Sequence, residues 1–264
     1  MDHKRNIYLK MKTLQEARDI VFRRFGTTGA MPGEIISVPN AVGRVLAGPV
    51  TARLSSPNFH AAAMDGIAVN AEATFGASET APRQLTLGRE AIPINTGHVL
   101  PAATDAVIMI EQVNDLGDGR IEIEAPAFPW QHVRRMGEDI VATELLFPRN
   151  HAVTAYCVGA LLAGGIFEVE VYRQPRVLII PTGSELVDWR QLDLKAFQPG
   201  QVLETNSFVL GKLIEKNGGT YRRHEMVVDD IDKIKKAITA AVDADYQMIL
   251  VLGGSSAGSE DFAK

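Results

Sequence analysis

Residues 247–264 read QMILVLGGSSAGSEDFAK. The first part, 248–252, is nearly all apolar, the pattern of a strand buried on both faces of a parallel sheet. Gly253 and Gly254 then allow a positive φ and leave the backbone unshielded. Ser255, Ser256 and Ser259 add hydroxyls, and Glu260 and Asp261 add carboxylates just beyond. A strand running into such a loop makes an anion cradle with metal-binding oxygens beside it. In open α/β sheets ligands bind outside the carboxyl ends of the strands, where this loop must lie. The same letters also suit an ordinary Gly-rich βα turn, so the rest of the chain has to decide.

Residues 176–181 (RVLIIP) are a second buried strand, with TGSEL at its end. Thr205, Asn206 and Ser207 cap a predicted helix over 208–217, and 221–228 is strand-like. Asp229 and Asp230 open a helix over 231–242, favourable for its dipole. This βαβαβ order with short connections predicts a doubly wound sheet. Three strand ends then carry marked loops, at 182–185, 229–230 and 253–261. If the strands are parallel, all three fall on one edge. Hydroxyls and N–H groups there would take phosphate, and Glu185, Asp229 and Asp261 would take a divalent metal. Carboxylates together with substrate phosphates are the usual way to hold Mg²⁺. No His or Cys pair has zinc spacing. There is no G-x-x-x-x-G-K-[ST] loop and no defensible Ser-His-Asp order.

Upstream, residues 13–25 (TLQEARDIVFRRF) predict an amphipathic helix with a Thr13–Glu16 capping box. Leu14, Ala17, Ile20, Val21 and Phe25 share one face. A strand over 35–38, a helical turn over 40–44 and an extended run over 45–52 follow. Residues 55–69, SSPNFHAAAMDGIAV, form a loop of small residues suited to lying close to another surface. Asp65 is its fixed charge, or else the start of a D-G turn. From 71 to 133 short strands alternate with turns, at 84–87, 90–94, 106–110 and 121–123. Asp118-Gly119 marks a hairpin. This part predicts a small β-rich domain, sandwich- or barrel-like. At 133–139 (VRRMGED), Arg134 and Arg135 stand beside Glu138 and Asp139. That is either a solvated turn or an anion contact with Asp139 as a polar bridge. A helix over 154–163, capped at Thr154 and stopped by Gly164-Gly165, precedes a strand over 167–172. Gln174-Pro175 reads as a domain junction.

With 264 residues the chain can hold two or three domains. At 46% hydrophobic and 22% charged it has ordinary soluble globular composition. The net charge of -5 argues against non-specific nucleic-acid binding. A lone cysteine, Cys157, excludes an intramolecular disulfide and reads as a buried small hydrophobe. No apolar run approaches a membrane span. A cytoplasmic protein is expected.

Seven blocks in order resemble the molybdopterin molybdenumtransferase family, the bacterial MoeA proteins and the E domain of gephyrin. They are SSPNFHAAAMDGIAV, INTGHVLPAATDAVIMIE, VRRMGEDI, RVLIIPTGSELV, the PGQ…TNS run, VVDD and LGGSSAGSEDF. The resemblance covers nearly the whole chain. It implies an α/β plus β multi-domain protein: an elongated mixed N-terminal domain (1–53 and 136–174), an inserted β-rich domain with the AMDG loop (54–135), and an incomplete doubly wound, MogA-like α/β domain (175–264). The family's C-terminal β-barrel is expected to be absent.

The activity implied is insertion of molybdate into adenylylated molybdopterin, with Mg²⁺ and with release of AMP. By motif position, Asp65, Asp139, Glu185, Asp229 and Asp261 would be the catalytic carboxylates, the last three also metal ligands. Thr96, Thr182, Gly183, Gly253, Gly254, Ser256 and Gly258 would bind the pterin substrate. The resemblance further implies a homodimer whose site is shared between subunits. Departures fall at Phe59-His60-Ala61-Ala62-Ala63 before the AMD, at Ile67 for the usual tyrosine, and at Ser255 for an apolar residue. Two other readings stay open: a truncated non-catalytic paralogue that binds molybdopterin or a partner subunit, and a molybdopterin adenylyltransferase.

Overall fold

The computed structural model describes residues 12–26 and 31–253. By compactness the chain forms two units, one made of residues 1–34 and 172–264, the other of 35–171.

The second unit is built on short strands. β1 (Gly33–Ser37), where the chain enters it, pairs with β12 (Glu168–Tyr172), where the chain leaves it. β2 (Val50–Thr51) pairs antiparallel with β11 (Leu145–Phe147). Helix α2 (Ala155–Ala163) packs into the same cluster as Val38, Leu46, Val169 and Val171. It starts at Thr154 and stops at Gly164, as its capping residues predict. Cys157 is buried in this cluster, and its Sγ accepts the Thr154 N–H at 3.4 Å at the helix start.

The remainder of this unit holds two three-stranded antiparallel sheets. One orders β6 (Ala91–Ile94), β4 (Gly66–Val69) and β7 (Ala106–Met109). The other orders β5 (Arg83–Thr86), β9 (Arg120–Ile123) and β8 (Val113–Gly117). Asp118 and Gly119 join β8 to β9 with φ of 51° and 74°, the left-handed pair a tight hairpin requires. Ile67, Val69 and Ile108 of the first sheet share a core with Leu85, Ile121 and Ile123 of the second, so the sheets form a sandwich. The opposite face of β4 is also covered, because Ala68 packs with Val107, Ile94 and Ala62. Burial on both faces explains the unbroken apolar run at 67–69. Ala62 belongs to β3 (Ala61–Ala62), which pairs with β10 (Val133–Arg134). Alanines at 61–63 are what let this short strand lie on the sandwich.

In the first unit, α1 (Leu14–Phe25) carries the predicted box. Thr13 N–H donates to the Glu16 carboxylate at 2.7 Å, and Glu16 N–H donates to Thr13 Oγ1 at 3.2 Å. No residue of the helix is buried, and Leu14 and Val21 of its apolar stripe are exposed, Leu14 by 77%.

The α/β part orders three parallel strands as β16 (Thr220–Arg223), β13 (Arg176–Pro181) and β17 (Met248–Leu252). A minor parallel pair joins β14 (Leu186–Val187) to β15 (Val202–Leu203). Leu178 and Ile180 of β13 pack on Ile234, Ala237 and Ala241 of α4 (Ile231–Asp243). Alternation along the strand turns Val177 and Ile179 to the other face. There α3 (Asn206–Lys216) comes so close that a Cβ at Gly211 would lie 2.3 Å from the Tyr221 ring. Helices on both faces of a parallel sheet make the predicted doubly wound layer.

Two local expectations change. Thr205 makes no side-chain cap on α3; the Glu204 carboxylate takes the Ser207 N–H at 2.8 Å instead. The strand expected over 221–228 stops at Arg223, because His224 Nδ1–H turns to the Glu225 carbonyl at 2.7 Å. The chain rejoins the sheet edge only where Val227 pairs with Thr182.

Candidate functional site

The order β16-β13-β17 reverses direction between β13 and β17, so the crevice between their carboxyl ends is the switch point where α/β sheets bind ligands. Thr182 N–H and Thr182 Oγ1–H both donate to the Leu252 carbonyl at 2.8 Å. Gly183 N–H donates to the Val227 carbonyl at 3.1 Å. Ser184 N–H donates to Asp229 Oδ2 at 3.0 Å, and Asp229 N–H returns to Ser184 Oγ at 3.3 Å. The three loops predicted to share an edge are thus tied together up to Gly253. The donors of Thr182 and Gly183 are used inside this edge, so these residues frame it and leave ligand N–H groups to be supplied by others.

Two glycines are required here. Gly253 has φ of 110°, and a Cβ would lie 2.6 Å from the Thr182 carbonyl oxygen. Gly183 has φ of 150°, and a Cβ would lie 2.8 Å from the Glu185 carboxylate. Bare backbone therefore leaves room for the Glu185 oxygens over the loop. Asp229 keeps its second oxygen free of any protein partner among the described residues. A hard cation suits these oxygen donors. Among the described residues no group of three His, Cys, Asp or Glu is placed around one point. The predicted third ligand, Asp261, lies outside the described residues, as do Gly254, Ser256 and Gly258.

In the other unit the AMDG loop is built around β3. The Thr96 N–H donates to Asp65 Oδ1 at 2.6 Å, and the Ile110 N–H donates to the Asp65 carbonyl at 3.0 Å. The backbone N–H of Thr96, then its side chain, hold the Asp65 carboxyl below the usual range, with His98 adding a smaller pull the same way. Asp65 is therefore an ionised acceptor at neutral pH. Gly66 is needed for closeness rather than for a turn, since a Cβ would lie 1.9 Å from the Ile108 carbonyl oxygen of β7.

Along one edge of β3, Gly97 N–H donates to the Ala62 carbonyl at 2.8 Å; along the other runs β10. Arg134 of β10 reaches Asp139 with Nη2 at 2.7 and 2.6 Å and Glu138 with Nε at 3.5 Å. Asp139 raises the Arg134 pKa further. Both side chains are about half exposed, so solvent screens the pair and its contribution to stability is small. Arg134 is thereby occupied by carboxylates within the turn, the ion-paired solvated turn that was one of the two readings of this stretch. Asp65, Thr96 and Asp139 therefore flank one two-residue strand.

His60 was legible only as a departure from pattern. Its Nδ1 accepts the Met136 N–H at 3.0 Å and its ring lies 4.8 Å from that of Trp130, so it props the turn bearing Asp139. A second group lay unread in the α/β part. Arg223 Nη1 donates to Asp188 at 3.0 Å, and its Nε donates to Glu204 at 3.1 Å and to Ser207 Oγ at 2.9 Å. The Ser207 hydroxyl also donates to Glu204. Asp188 is held below the usual carboxylate range, chiefly by the Arg190 N–H and then by the Arg223 charge. This buried network fixes the start of α3 against β16. Its sequence signal was Glu204 three residues before Ser207, the spacing of a helix-start cap.

Residues 12–165 match the family described as "MoeA N-terminal region (domain I and II)", and residues 178–264 match "Probable molybdopterin binding domain". The chain is 35% identical over 248 residues to a molybdopterin molybdenumtransferase 2 of Mycobacterium tuberculosis, covering 87% of this chain and 59% of that protein. It is 31% identical over 243 residues to a molybdopterin molybdenumtransferase of Haemophilus influenzae, covering 88% and 58%. A molybdopterin biosynthesis MoeA protein from Pyrococcus horikoshii superposes with a TM-score of 0.79 at 30% identity, covering 96% of this chain and 66% of that one. The chain thus spans about three fifths of the length of the relatives it matches.

Proposed function

Because the chain belongs to the MoeA family, we propose that the protein carrying it is a molybdopterin molybdenumtransferase. It would insert molybdate into adenylylated molybdopterin and release AMP. The observation that carries this reading is the joined edge of Thr182, Ser184, Asp229 and Gly253, which lies at the sheet's switch point inside the region matching a molybdopterin-binding family.

In this reading the substrate's phosphoanhydride lies along that edge. Thr182 and Gly183 keep the loops in register, and Gly253, Gly254, Ser256 and Gly258 present N–H and hydroxyl groups to the phosphates. Fixed donors of this kind stabilise charge that builds as the P–O bond to AMP breaks. Glu185, Asp229 and Asp261 would hold Mg²⁺. When bound, that ion would orient the diphosphate and offset its charge. Asp65, kept ionised by Thr96, and Asp139, kept in place by Arg134, would act as fixed acceptors on the substrate. A homodimer with a site shared between subunits would bring the two patches to one substrate. The exposed Leu14 and Val21 of α1 support association with a second copy.

The three-domain division at 1–53 with 136–174, 54–135 and 175–264 belongs to the same proposal, as does a cytoplasmic location. No helix among the described residues is long and apolar enough to cross a membrane. The test is AMP release from adenylylated molybdopterin, with molybdate and Mg²⁺ varied independently. Asp261→Asn should lose that release while keeping its melting temperature; equal loss of both would make Asp261 a structural residue.

A further inference from the structure

The α/β part carries a second concavity along the flank of α4, one end of which reaches Val227 and Val228 beside the switch-point edge. One cavity of about 350 Å³ is lined by Leu178, Ala241, Ala244 and Tyr246; a second, of about 390 Å³, by Met226, Val228, Lys233 and Lys236. Both also include His224, Glu225, Ala237 and Ala240, so they form one continuous trough. It follows α4 from Lys233 to Ala244, about 16 Å at the helical rise per residue. That length matches about five residues of extended chain.

Its outer wall is a sheet edge. Among the described residues β16 is the terminal strand of its sheet and pairs with β13 alone. Thr220 N–H donates to the Pro175 carbonyl and His224 N–H to the Ile179 carbonyl, so the even-numbered residues face inward. Tyr221 and Arg223 therefore turn their N–H and C=O groups away from the sheet. An open strand edge of this kind is a template for another strand.

The rim is basic although the chain's net charge is -5. Arg222, Lys233 and Lys236 line the trough and form no ion pair among the described residues. Glu225 is the one carboxylate in the lining. The floor beneath them is alanine, which leaves space for an incoming side chain. We propose that this trough and the β16 edge bind an acidic peptide segment of a partner protein in extended conformation. The segment would add as a strand beside β16, its backbone meeting Tyr221 and Arg223. Alternate carboxylates would enter the trough toward Arg222, Lys233 and Lys236.

The probe is a set of fluorescein-labelled hexapeptides alternating Glu or Asp with Val or Ile, titrated against the whole protein by anisotropy. Binding should weaken roughly tenfold or more with Lys233→Glu/Lys236→Glu, as expected when interfacial charges are reversed. Ala240→Glu, at an exposed position of α4, should weaken it similarly with an unchanged melting temperature. Hydrogen exchange at the Tyr221 and Arg223 amides should slow on binding, and peptides N-methylated at alternate residues should not bind. The proposal is overturned if no peptide of the set binds, if the N-methylated peptides bind as well, or if charge reversal has no effect. Full displacement of a bound peptide by pyrophosphate at equal concentration would also overturn it, as a small-anion site.

Discussion

The Thr96 N–H and the Asp65 carboxylate meet at 2.6 Å across 31 residues of sequence, joining the AMDG loop to the TG turn. The contact lowers the Asp65 pKa, so it favours the ionised form. A depressed carboxyl pKa contributes stability above the unfolded-state value, about 3.9, and loses it as pH falls through the folded value. The Asp65 carboxyl should therefore titrate by NMR below the ordinary aspartate range, with the Thr96 amide shift following it. Asp65→Asn should be less stable than the parent at neutral pH and match it once the parent's carboxyl is protonated. A stability difference that persists unchanged into acid would contradict this.

Gly66 follows Asp65 directly, and its missing side chain sets the β4–β7 spacing. A Cβ there would press on the backbone of Ile108, which cannot swing aside as a side chain can. Gly66→Ala should cost about 3 kcal/mol, at the upper end of overpacking effects. Urea unfolding measures it, and a loss within about 0.5 kcal/mol, the range of surface substitutions, would show that the strands separate freely.

Arg223 holds two buried carboxylates, with Glu204 only 3% and Asp188 8% exposed. Arg223→Met leaves both without their cation. Removing one partner of a buried ion pair costs about 3–5 kcal/mol. The double variant Arg223→Met/Glu204→Gln should recover part of that loss, because Asp188 is then the only one of the two carboxylates left charged. Equal stability of single and double variants would place the cost elsewhere.

Gly253→Ala tests the switch-point edge. The added methyl meets the Thr182 carbonyl and hydroxyl. Molybdopterin affinity should fall by more than about tenfold, while the global loss stays within about 3 kcal/mol, the usual range of a point substitution. Affinity unchanged by the methyl would remove this crevice from the binding site.

Much of the fold was legible because local signals agreed. Thr13 with Glu16, Thr154 with Gly164, Asp230 before Ile231 and Asp118-Gly119 each specify a boundary through short-range hydrogen bonds or positive φ. The buried strands showed in their apolar runs. The convergence of Thr182, Asp229 and Gly253 followed from parallel order alone. Long-range partners did not show. Nothing near Glu204 announces that Arg223, 19 residues on, will pair with it. Nor does residue 60 announce a bond to Met136, 76 residues away. Gly66 read as a turn glycine because the carbonyl it must clear belongs to Ile108, on another strand. The α1 stripe was readable as a face, yet what covers it is not encoded in the helix.

AMP released when the protein carrying this chain meets adenylylated molybdopterin is the decisive measurement of the proposed transferase activity. Release should require both molybdate and Mg²⁺, and Asp65→Asn and Asp229→Asn should each slow it by roughly a hundredfold or more, the scale of losing one fixed electrostatic group. Molybdopterin binding without AMP release, or release at the same rate without molybdate, would contradict it.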